Sequence, residues 1–65
     1  HEVSVAMTLQ RLGDLSLQND LKGNAITHYI ESLNIYTRHT QNDPGQFCLE
    51  QITSIQTKIR SLQGK

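Results

Sequence analysis

The side chains in this sequence best suited to holding a metal or attacking a substrate are three histidines, His1, His28 and His39, and one cysteine, Cys48. A zinc site draws on closely spaced pairs such as C-x-x-C or H-x-x-x-H, and neither spacing occurs. His28 and His39 stand eleven residues apart. On one helix that is about 16 Å of rise, too far for one ion to bridge. A catalytic thiol needs an oriented base beside it, and Cys48 has no evident partner in its neighbourhood. It falls instead on an apolar stripe, where a small buried hydrophobe is useful. No G-x-S-x-G elbow, phosphate loop, dinucleotide fingerprint or paired-carboxylate constellation is present. The residues therefore predict no enzyme, no cofactor, no metal site and no small-molecule substrate.

Binding is the remaining class of function, and charge and hydropathy narrow the partners. Six basic and six acidic residues cancel. There is thus no basic stripe to displace counterions from phosphates, and no nucleic-acid partner is expected. No apolar run approaches the ~20 residues that span a bilayer, and no membrane partner is expected either. A lone cysteine cannot form an internal disulfide, and no signal-peptide pattern opens the chain, so the expected setting is intracellular and cytoplasmic. The start on His1 rather than Met reads as an engineered start, a processed product or a piece of something longer.

At 65 residues the chain makes one domain, 1–65. A chain of this size buries only about 60 % of its unfolded surface. The hydrophobic fraction is 35 %, and the aromatic residues are Tyr29, Tyr36 and Phe47. Leu and Ile recurring every third or fourth residue make such a core easier to assemble from helices than from sheets. The fold class is all-α, an antiparallel arrangement of three helices at about 2–18, 21–39 and 44–63. In the first, Val5, Leu9, Leu12 and Ser16 share a face, with Ala6 and Gly13 beside them and Val3, Met7, Leu15 and Leu17 off the stripe. Asn19 or Asp20 suits the N-cap of the second helix. Its stripe is Ile26, Tyr29, Ile30, Leu33 and Tyr36 or Thr37, with Ala25 and Ser32 adjacent. Asp43 suits the N-cap of the third, Pro44 its first position and Gln46 a capping box. Cys48, Ile52, Ile55, Ile59 and Leu62 then form a heptad seam, and Gly64 marks the stop.

The spacing of Leu9, Leu12-Gly13, Ala25, Tyr29 and Leu33-Asn34-Ile35-Tyr36 resembles one tetratricopeptide repeat, in which a large residue, Leu-Gly and then Ala and an aromatic recur at these offsets. Val5-Ala6-Met7-Thr8-Leu9 is further similar to the longer repeats of kinesin light chains. Ser16 departs from the family's Tyr, Thr37 from its late Pro, and Asn19-Asp20-Leu21 from its usual turn. The resemblance implies that Leu9, Leu12, Gly13, Ala25, Tyr29 and Leu33 pack the helical hairpin. It also implies that the third helix, with Gln56 where a Gly would stand, is a capping helix with a polar outer face.

In that family, partners lie along the inner face of the first helices, which here corresponds to Met7, Gln10, Asp14, Leu17 and Gln18. Asp14 at such a position would repel a carboxylate ligand. The surplus apolar residues, Val3 among them, add a surface for self-association. Two functions are expected from this reading. One is a protein-interaction module or scaffold that binds a protein or peptide, as the end of a repeat array or as a homodimer. The other is a structural three-helix bundle for oligomerisation.

Overall fold

The structure, a computed structural model, describes residues 2–64. Three helices occupy nearly all of it: α1 (Glu2–Gln18), α2 (Lys22–Asn42) and α3 (Gln46–Gln63). α2 is central and packs along both neighbours, whereas α1 and α3 meet chiefly through long side chains. Successive helices are antiparallel. Ala6 faces Ser32 and Asp14 faces Tyr29 across the first pair, and Tyr36 meets Phe47 while Tyr29 meets Lys58 across the second. The Cα atoms span 34 × 23 × 14 Å, a slab too thin to enclose a deep pocket.

The face that α1 buries differs from the expected stripe. Its buried residues are Ala6, Gly13 and Ser16. Val5 and Leu12, expected inside, are 50 % and 40 % exposed, while Val3 and Leu17, expected outside, pack against the core. Closeness of approach explains the exchange. A Cβ on Gly13 would lie 2.7 Å from Cε1 and 2.8 Å from Cδ1 of the Tyr29 ring, so this contact admits no side chain at position 13. Once the smallest residues set the line of closest approach, Leu9 stays half-buried beside it and Leu12 is rotated to the edge. On α2 the buried set is likewise the line Ala25, Tyr29, Ser32 and Tyr36, with Ile26 and Leu33 half-buried and Ile30 exposed. Ser32 Oγ donates to the Ala6 carbonyl at 2.7 Å, which satisfies a hydroxyl that is fully buried.

On α3 the heptad seam holds. Cys48 and Ile55 are buried, and Ile52, Ile59 and Leu62 pack against the same core. Here spacing alone sufficed, because no Gly or Ala competes for the line of contact.

Both expected N-caps are displaced. Asp20 adopts a left-handed conformation, φ 62°. The Asp20 amide donates to the Leu17 carbonyl at 3.1 Å and the Leu21 amide to the Ser16 carbonyl at 2.8 Å. These are the two bonds of a Schellman ending, so Asp20 terminates α1 instead of opening α2. The N-cap of α2 is Leu21, without a side-chain bond. At the second turn, α2 runs on past His39 to Asn42, and Asp43 is its C-cap. The residue before a proline avoids the helical region, so α2 ends there, and Pro44, expected at the first position of α3, lies in the turn ahead of it. Gly45 is the N-cap of α3, again without a side-chain bond. Gln46 makes no capping box and instead donates to Glu50 Oε2 at 3.2 Å.

Candidate functional site

Two stripes, each opening on an apolar residue and continuing with polar ones, face each other across the space between α1 and α3. Met7, Gln10 and Asp14 follow one another at intervals of three and four on α1, and Phe47, Gln51 and Lys58 at four and seven on α3. Each set therefore shares one helix face. Gln10 Nε2 donates to Gln51 Oε1 at 2.9 Å, and Lys58 Nζ lies 3.4 Å from Asp14 Oδ1. Because both pairings advance together, α1 and α3 run in the same direction. They border a shallow cleft of ≈ 260 Å³ lined by Met7, Gln10, Arg11, Asp14, Phe47 and Gln51.

The tyrosines of α2 support this cleft from below. Tyr36 Oη donates to Gln10 Oε1 at 3.2 Å, so a directed relay runs from the buried phenol through Gln10 to Gln51. The Phe47 ring stands edge-on to Tyr36, centroids 6.5 Å apart, although Phe47 itself is 48 % exposed. At the other end Tyr29 Oη donates to Asp14 Oδ1, and Lys58 Nζ sits 5.5 Å from the centre of the Tyr29 ring. One carboxylate thus collects a phenol and an ammonium, and the ammonium also lies on the ring's negative face. Burial, then the hydrogen bond and charge of Asp14, push the Tyr29 phenol far above its ordinary 10.0. The Tyr36 phenol is raised as well, by burial first and by Cys48 second. Phenols held neutral in this way serve as hydrogen-bond donors and as neither bases nor nucleophiles.

The expected partner-binding residues divide. Met7, Gln10 and Asp14 line the cleft, Gln18 is exposed and does not, and Val3 and Leu17 are drawn into the core. Besides Met7, the apolar surface left on α1 is Val5, Leu12 and Leu15. Of the residues expected to pack the hairpin, Gly13, Ala25 and Tyr29 are buried, Leu9 and Leu33 half-buried, and Leu12 exposed. Phe47, Gln51 and Lys58 escaped the sequence reading because attention to the seam leaves its flanks unread. Their signal is the spacing of four and seven alongside Cys48 and Ile55.

The histidines stand apart from this cleft. His28 Nδ1 lies 3.7 Å from Glu31 Oε1, and no hydrogen bond reaches this buried nitrogen. His39 Nδ1 lies 3.9 Å from Glu2 Oε1, and His1 is outside the described residues. Cys48 is buried in the seam and free. Among the described residues no group of three His, Cys, Asp or Glu side chains could hold a metal ion, and no helix is long and apolar enough to cross a membrane. A second concavity, lined by Gln46, Leu49, Glu50 and Thr53, runs along α3 with no other element contributing.

Comparison with known proteins brings no match: no family model, no curated protein and no solved structure is significantly similar to this chain.

Proposed function

We propose that this chain is a non-catalytic protein-interaction module, a tetratricopeptide-like hairpin with a third, capping helix, which binds a protein or peptide in an intracellular, cytoplasmic setting. The observation that carries this reading is the cleft between α1 and α3, where exposed apolar side chains, Met7 and Phe47, stand beside ordered amides and charges. Such a mixture suits a peptide, whose backbone seeks hydrogen bonds while its side chains seek apolar cover. The close seat of the Tyr29 ring on Gly13 is compatible with the hairpin that the resemblance implies. Selection from a displayed peptide library, followed by mapping of amide shifts, tests the reading. Enriched peptides should perturb Met7, Gln10 and Gln51. Failure to enrich any sequence, or binding that maps elsewhere, would refute it.

A second reading is favoured by the exposed row of Val5, Leu12 and Leu15 on α1. These residues could seat a second copy in a homodimer, which would make the chain an oligomerisation element. A stable interface buries about 800 Å² per partner, more than three half-exposed side chains supply. Sedimentation from micromolar to millimolar protein separates the readings. Association that Leu12→Ser and Leu15→Ser abolish would favour the second.

A further inference from the structure

The cleft has an unbalanced set of hydrogen-bonding groups, and the imbalance specifies a ligand. Gln10 Oε1 is taken by the Tyr36 hydroxyl and Gln51 Oε1 by Gln10 Nε2. Each amide oxygen thus already holds one donor, and the relay ends on the N–H donors of Gln51, which bond no acceptor among the described residues. Asp14 Oδ1 is engaged twice, by Tyr29 and by Lys58. Arg11 lines the same cleft, is exposed, and makes no ion pair among the described residues. With Lys58 balancing Asp14, the guanidinium of Arg11 is the charge left over. Donors and one free cation thus lie beside the apolar surfaces of Met7 and Phe47.

Resting on the interaction-module reading, we infer that the cleft takes an extended peptide segment of a partner protein in which an acidic side chain stands next to an apolar one. The carboxylate meets Arg11 and the Gln51 amide, and the apolar side chain lies between Met7 and Phe47. Lys58 beside Asp14 offsets its charge, so the cleft as a whole, with Arg11, carries one net positive charge toward such a ligand. The cleft's ≈ 260 Å³ suits one or two side chains rather than a folded surface. Charge complementarity selects the acidic segment over a neutral or basic one.

The test is an NMR titration of the labelled chain with three end-capped pentapeptides, Gly-Leu-Glu-Leu-Gly and its counterparts with Gln or Lys at the centre. The expected result is saturable shifts of the Gln10 and Gln51 side-chain amides and of Met7, Arg11 and Phe47. Affinity for the Glu peptide should exceed that for the others about one-and-a-half- to fivefold, the worth of one exposed charge pair. Arg11→Gln should abolish that preference while the melting curve and helical spectrum stay unchanged. Equal binding of all three peptides in the cleft would overturn this inference and leave the module reading standing. No shift with any peptide would count against both. Cleft shifts that grow with protein concentration alone would identify a second copy as occupant and also overturn it.

Discussion

The two sides of α1 are built on opposite plans. Toward α2 its residues are small, the approach is close, and the hydroxyl of Ser32 reaches a main-chain carbonyl. The connection is equally tight, closed by the Schellman bonds at Asp20 and Leu21. Toward α3 the residues are long and polar, and contact is made by the ends of Gln10, Asp14, Gln51 and Lys58. The connection there, Asp43–Gly45, carries no side-chain cap. The first plan leaves no room for a ligand and the second leaves a cleft. Close packing by small residues makes a rigid hairpin, whereas bridging by long side chains keeps an opening whose chemistry its amides and charges decide.

The sharpest way to break this contrast is at Gly13. Gly13→Leu drives a side chain into the buried Tyr29 ring and should cost about 1–3 kcal/mol, more than the ~0.8 kcal/mol gained in helix propensity. In a domain of this size each kcal/mol lowers Tm by roughly 4–8 °C, so calorimetry gives a plain reading. An unchanged Tm would mean that the hairpin is not closely packed.

Tyr29 joins the two sides and comes next. Tyr29→Phe removes the bond to Asp14 and should cost about 1 kcal/mol at neutral pH. Its phenol is raised above the ordinary 10.0 in the fold. The stabilisation is therefore fully present below pH 10 and is lost progressively as pH rises from there toward the folded value, because unfolding then releases a proton. Denaturant unfolding between pH 7 and about pH 11 should show stability falling less steeply in Tyr29→Phe than in the parent. Parallel slopes would contradict the burial of this hydroxyl.

A smaller effect, of opposite sign, is expected at the hairpin turn. Asp20 holds a left-handed φ that glycine adopts without steric cost, so Asp20→Gly should raise stability by on the order of 0.5 kcal/mol. Destabilisation would show that the aspartate side chain has work of its own there. Across the cleft, Lys58→Met keeps the apolar stem and removes the charge. Because its pair with Asp14 is exposed, the change should stay within about 0.5 kcal/mol. A loss comparable to that at Gly13 would erase the distinction between the two sides.

Smallest of all is Asp43→Ala. Read as an N-cap, Asp43 would be worth about 1 kcal/mol. Placed as the C-cap of α2, with only its main-chain amide bonded to the His39 carbonyl, it should be replaceable at almost no cost. Chemical denaturation of this one variant decides between the two positions.

Helix number, helix order and the seam of α3 could all be read directly from the residues. Each rests on periodicity or on a breaker such as Pro44, and both act within a few residues along the chain. The identity of Gly13 also marked a close crossing, since the absence of a side chain has few other uses inside a helix. Which face of α1 turns inward could not be read in the same way. Periodicity favours Val5 and Leu12 because they are apolar, but the approach of α2 selects Ala6, Gly13 and Ser16 because they are small. The caps were equally out of reach: Asp20 and Asp43 are both good N-cap residues, and only the path of the chain through each turn assigns them to the ends of α1 and α2. The cleft depended on tertiary structure most of all. Gln51 and Lys58 are ordinary surface residues until α3 lies parallel to α1. Packing of both helices on α2 then brings residues more than forty positions apart within hydrogen-bond and ion-pair reach.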